Sequence, residues 1–238
     1  MDWAGHFERE RDRYENGAAR LSSSADPDVR QRQLTRLGNT AYGAGLALLM
    51  SDRREEAAEW LFRAASRYRE SFPDAPQESW GRPIGAIKAH VIARNEQGAR
   101  EAAEWALDEG ALRSSSPIGR YAGCLALLVL GRDKEAVRGV DALLAERDFP
   151  SEVADALAAV AAHDRERYKQ AVERVLASFE HREEYLEDIP VADTVVVLQA
   201  LASARGFVVP LVSSLLPRRF HNKDILWLAC HTPVRIVH

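Results

Sequence analysis

Four times along the chain an apolar run passes through a short polar turn into a charged segment whose apolar residues recur three and four apart. The copies read GLALLMSDRREEAAEWLFRAASRY from Gly45, KAHVIARNEQGAREAAEWALDEG from Lys88, CLALLVLGRDKEAVRGVDALLAERD from Cys124 and ALAAVAAHDRERYKQAVERVLASF from Ala156. Apolar residues at i, i+3, i+4 and i+7 put one face of a helix toward a core, so each copy predicts two helices joined by a tight turn. Ala57, Ala102, Ala136 and Ala171 hold the same place in the second helix of each copy, at intervals of 45, 34 and 35 residues.

The flanks complete the expectation. From Asp2 to about Ala19, alternating Glu and Arg suit a solvated helix with i,i+4 pairs. Trp3, Phe7 and Tyr14 give that helix one apolar stripe with which to dock. Residues 1–26 therefore read as a docking helix and linker, and Asp26 with Pro27 starts the next helix. That helix carries Leu34, Leu37, Ala41, Ala44 and Leu48 on its core face. Gly38, Gly43 and Gly45 beside them predict close approach by a neighbour, since each costs about 1 kcal/mol against alanine in a helix. Asp52 followed by Glu55 reads as a capping box for the second helix. The segment from Phe72 to Gly81 is an insertion and accounts for the long first interval. Pro83, Asn95, Gly110, Ser114–Pro117, Phe149–Ser151 and Pro190 mark the later helix ends. The repeats span 27–206, and 207–238 reads as short pieces covering the last open face with Leu211, Leu215, Leu216 and Ile225–Leu228. The fold expected is all-α, a right-handed stack of antiparallel helical hairpins with about ten to twelve helices in a single domain of residues 1–238.

Composition narrows the function classes. Net charge is −4, so a general attraction to nucleic acid or to an anionic membrane is not expected. Only four of the 32 basic residues are lysines. The charged start does not have the form of a signal peptide, and Tyr121–Leu130 is about half the length of a membrane span. Cys124 and Cys230 read as reduced thiols, which fits a cytoplasmic protein.

No metal, cofactor or catalytic motif stands out. The seven histidines include no i,i+4 pair, and HExxH, CxxC, Walker and Rossmann patterns are absent from the sequence. Three polar residues do stand on faces otherwise destined for a core. Lys88 shares its face with Ile84, Ile87 and Val91. Asp193 lies between Val191 and Val195–Val197, and Arg120 precedes Tyr121 at the start of an apolar helix. A buried charge must be paired or must shift toward neutrality. With Trp80, Arg82, Asn39 and Tyr42, these three form a candidate polar patch. The plainer reading has Lys88 snorkelling, Asp193 favouring a helix N-terminus and Arg120 solvated. Trp60 and Trp105 sit in the repeated string Glu-Ala-Ala-Glu-Trp and read as packing, whereas Trp80 lies in the inserted loop and reads as a contact residue.

Over roughly Leu34 to Phe179 the pairs resemble tetratricopeptide repeats. Leu37-Gly38 with Tyr42 is similar to the first-helix signature, and the four alanines are similar to the small residue of the second helix. That resemblance implies a scaffold presenting a groove to a protein or peptide. The strings Ser79-Trp-Gly-Arg-Pro-Ile-Gly85 and Leu215-Leu-Pro217 resemble all-helical bacterial immunity proteins of the immunity-forty-nine type, which implies neutralisation of a cognate toxin. The expected function is protein or peptide binding through the groove or the Pro73–Pro83 loop. The alternative is an enzyme or small-molecule-binding protein with a pocket around Lys88, Arg120 and Asp193. Self-association through the C-terminal segment is a further alternative.

Overall fold

The computed structural model describes residues 1–21 and 26–218, which are all-helical, with ten α-helices and no strand among them. These are α1 (Trp3–Leu21), α2 (Pro27–Met50), α3 (Arg54–Ser71), α4 (Gly81–Ile92), α5 (Glu96–Asp108), α6 (Pro117–Val129), α7 (Asp133–Leu144), α8 (Ser151–Ala161), α9 (Arg165–Glu180) and α10 (Asp193–Ser203). Short 3-10 turns lie at Ala111–Arg113 and Leu186–Asp188.

The boundaries follow the local chemistry. At the start of α2 the Asp26 carboxylate accepts from the Asp28 and Val29 N–H groups, and Pro27 takes the first position, where no N–H is needed. Asn95, Ser116 and Asp164 cap α5, α6 and α9 in the same way.

Four turns, joining α2 to α3, α4 to α5, α6 to α7 and α8 to α9, are built alike. Each contains one residue in the left-handed region: Asp52 (φ 62°), Arg94 (φ 59°), Gly131 (φ 70°) and His163 (φ 56°). The following N–H returns to a carbonyl five residues earlier, from Arg53 to Leu48, Asn95 to His90, Arg132 to Leu127 and Asp164 to Ala159, at 2.9–3.0 Å. This is the Schellman closure, which satisfies carbonyls that the helix end leaves open. It also corrects the expected Asp52–Glu55 capping box. Asp52 is the left-handed residue that ends α2, one position too early to cap α3. The cap position falls to Arg53, whose side chain makes no cap and instead pairs with Glu56.

Each helix from α1 to α9 packs on the next in sequence, and the contacts α4–α6, α6–α8 and α8–α10 join alternate helices. α1 docks as its stripe predicts: the Phe7 and Tyr14 rings meet Trp60 edge-on at 5.8 and 5.3 Å. Trp105, at the matching place in α5, receives the Phe72 ring at 5.2 Å. Tyr68 is held between two glycines. A Cβ on Gly38 of α2 or Gly85 of α4 would stand 2.7 or 2.6 Å from its ring, so three helices close up on one buried tyrosine.

After α9 the chain crosses back toward the start. Arg9 donates to the Glu187 carbonyl at 2.8 Å and Arg13 pairs with the Glu187 carboxylate at 2.7 Å. α10 then packs on α4, α8 and α9. Leu211, Leu215 and Leu216 are buried, and the Leu215 carbonyl accepts from the Ala192 N–H at 2.9 Å. The rest of the expected C-terminal cover, Ile225–Leu228, and Cys230 lie outside the described residues. Among the described residues no helix is long and apolar enough to cross a membrane.

Candidate functional site

α2 carries polar residues at Asp28, Gln31, Thr35, Asn39 and Tyr42, three or four apart, next to its apolar stripe. That spacing lines them along one face of the helix. α4 presents Arg82, Ile84, Gly85 and Lys88, and the N-terminus of α10 brings Asp193. Between them lies a cleft of about 330 Å³ lined by Asn39, Tyr42, Tyr68, Arg82, Lys88 and Asp193, with Thr35, Ile84 and the exposed Leu186 at its edges. Five of the seven residues singled out in the sequence therefore share one cavity: Asn39, Tyr42, Arg82, Lys88 and Asp193.

Its inner end is a compensated network. The Lys88 ammonium lies 2.6 Å from Asp193 Oδ2, and their side chains are only 12% and 16% exposed. Lys88 also donates to Thr194 Oγ1 at 3.1 Å, and the Tyr42 hydroxyl donates to Asp193 Oδ2 at 2.9 Å. Burial alone would push the Asp193 carboxyl up. The charge and hydrogen bond of Lys88, with the hydrogen bonds from Tyr42 and the Thr194 N–H, outweigh it and hold the group below the usual aspartate range. Burial, reinforced by the Asp193 charge, drives the Tyr42 hydroxyl well above its ordinary pKa, so it remains a donor. Tyr68, raised by burial as well, donates to Asn39 Oδ1 at 3.0 Å. The network thus presents a neutralised ion pair and protonated phenols.

Arg82, at the outer end, is set differently. Its guanidinium donates to Thr35 Oγ1 at 3.2 Å, Ser71 Oγ at 2.9 Å and Gln31 Oε1, all uncharged. Burial lowers its pKa, and no carboxylate among the described residues counters the shift. Arg82 also lines a second cleft of about 350 Å³ with Asp28, Gln31, Arg32, Thr35 and Arg36, so it stands where the two spaces meet.

The remaining two predicted residues lie apart. Arg120 does not reach Lys88 and Asp193; it bonds the carbonyls of Ser114 and Ser115 and the carboxylate of Glu146. Trp80, expected as a loop contact, is buried against Ala111 and Ala122, with its indole N–H on Glu78 at 2.7 Å. The insertion folds its aromatic ring inward because α4 begins there and needs an apolar footing. Beneath the loop, Phe72, Pro76, Trp80 and Trp105 border a separate cleft of about 620 Å³.

Sequence reasoning passed over Gln31, Thr35, Ser71 and Tyr68. The signal for the first two was the polar spacing 28, 31, 35, 39, 42, which continues Asn39 and Tyr42 back along α2. Ser71 and Tyr68 had no such signal, because they reach the cleft from α3. Among the described residues no group of three or more His, Cys, Asp and Glu side chains could hold a metal ion. Comparison of the chain with protein-family models, with curated proteins and with solved structures gave no match.

Proposed function

We propose that the chain is a tetratricopeptide-like helical-hairpin module that binds a segment of a partner protein in the cleft between α2 and α4. The observation that carries this reading is the convergence of Asn39, Tyr42, Arg82, Lys88 and Asp193, from three separate helices, on one cavity. The four alike turns support the hairpin repeat. Apolar Ile84 and exposed Leu186 at the edges, with polar groups between them, suit a peptide that buries side chains while its backbone finds donors and acceptors. Binding and neutralising a cognate toxin is one concrete form of this role, acting in the cytoplasm.

A random-peptide library selected on the immobilised protein tests it. Enriched peptides should bind saturably, and Ile84→Arg should abolish binding while the helical circular dichroism stays unchanged. Peptides that bind Ile84→Arg equally well, or no enrichment over a blank surface, would sink the reading. A second reading, a small-molecule site, is favoured by the volume of about 330 Å³, within the range such sites occupy.

A further inference from the structure

We propose that the second cleft, at Arg82 and Arg36, recognises a doubly charged phosphoryl group on the ligand. For the identity of what carries that group, the proposal rests on the ligand-cleft reading above. Three guanidiniums, Arg32, Arg36 and Arg82, face one carboxylate, Asp28, around the second cleft. Asp28 is already engaged, by Arg32 at 2.7 Å and by the Gln31 amide at 2.9 Å. Arg36 is exposed at the rim and makes no ion pair among the described residues. The space is thus left with two positive charges in a chain whose net charge is −4.

Arg82 is the more telling of the two. Other arginines removed from solvent have acidic partners: Arg67 has Glu70, Arg120 has Glu146 and Arg205 has Asp133. Arg82 is half-buried, is held in place by Gln31, Thr35 and Ser71, and meets no carboxylate among the described residues. Its Nε is satisfied on two hydroxyls and one Nη2 bond goes to Gln31, which leaves the Nη1 donors of the fork. A positioned guanidinium with unused donors in a cleft suits an anionic oxygen. Two uncompensated cations are matched by a phosphate monoester, whose charge is about −1.5 to −2 at pH 7; one carboxylate would leave a cation over. No bond is made or broken in this recognition.

Calorimetric titration of the full chain with inorganic phosphate at pH 7.5, ionic strength held constant, is the direct test. Phosphate should bind saturably, with chloride silent and acetate at least about tenfold weaker. Arg36→Gln, at an exposed side chain with no hydrogen bond or ion pair among the described residues, should weaken phosphate at least about tenfold, the loss expected for one charge-assisted contact. Arg82→Lys, which keeps the charge but not the fork, should weaken it while the protein stays folded. Lowering the pH from 7.5 to 5 should weaken phosphate as the dianion gives way to the monoanion. Phosphate binding that is unaltered in Arg36→Gln, or equal responses to acetate and phosphate, would overturn the proposal.

Phosphoserine peptides that bind more than tenfold tighter than inorganic phosphate would identify a phosphorylated protein segment as the source; equal affinities would identify a small phosphate ester. Library peptides whose binding ignores phosphate would overturn this proposal alone. Saturable phosphate binding without any enriched peptide would remove the peptide reading and leave the anion site.

Discussion

Lys88 and Arg82 stand less than two helical turns apart on α4 and line the same cleft, yet they are placed in opposite ways. Lys88 has its counter-ion: Asp193 lies at 2.6 Å, and Tyr42 and Thr194 satisfy the pair's remaining valences. Arg82 is fixed by neutral groups and has none among the described residues. A buried cation with its carboxylate closes a structure, whereas one held without it leaves the charge for something else to answer. The difference separates a part of the cleft that holds helices together from a part able to receive a ligand.

The largest test of that difference removes the counter-ion. Asp193→Ala strands the Lys88 charge and the Tyr42 hydroxyl, and should cost about 3 kcal/mol in a urea melt. The native protein should also lose more stability in acid than this variant does. Asp193 is held below its ordinary value, so its contribution is complete above the unfolded pKa of about 3.9 and is lost as the pH falls through the lower folded value. Equal losses in acid in the two proteins would show that the pair contributes nothing to stability.

Gly85, between Arg82 and Lys88, joins the two halves. Gly85→Ala would press a methyl into the Tyr68 ring and should cost about 2 kcal/mol, affecting both halves together. Arg82→Gln should cost less, about 1 kcal/mol, because only hydrogen bonds to neutral partners are lost. A cost as large as that of Asp193→Ala would erase the contrast between the two cations. The smallest effect lies outside the cleft: Asp52→Gly relieves a left-handed residue and should raise stability by about 0.5 kcal/mol, with no change in phosphate binding.

Much of this architecture was legible in the chain, for reasons that differ by element. The helices were readable because their apolar spacing, caps and breakers are local. Lys88 and Asp193 were readable as misfits, since a charge on an apolar face needs an explanation. Their pairing was not, because Lys88 on α4 and Asp193 on α10 come from distant parts of the chain. Trp80 misled because a loop position predicts exposure, whereas this loop turns inward to seat the start of α4. Arg120 misled because Glu146, from beyond α7, answers its charge locally. The Asp52 box failed by one residue, which only the left-handed turn decides.

A row of helices, each resting on its neighbour, ordinarily frays from its ends and unravels piecemeal. Here the Tyr42–Asp193 bond spans 151 residues and the Arg9–Glu187 bond spans 178, so the last third of the chain is buckled to the first. Such a clasp makes melting a shared event: releasing either end means opening the closure on which the other depends. Pulling on the termini should therefore yield one large rupture, where an unclasped row would peel away in small steps, and long-range closures of this kind slow folding as they strengthen the result.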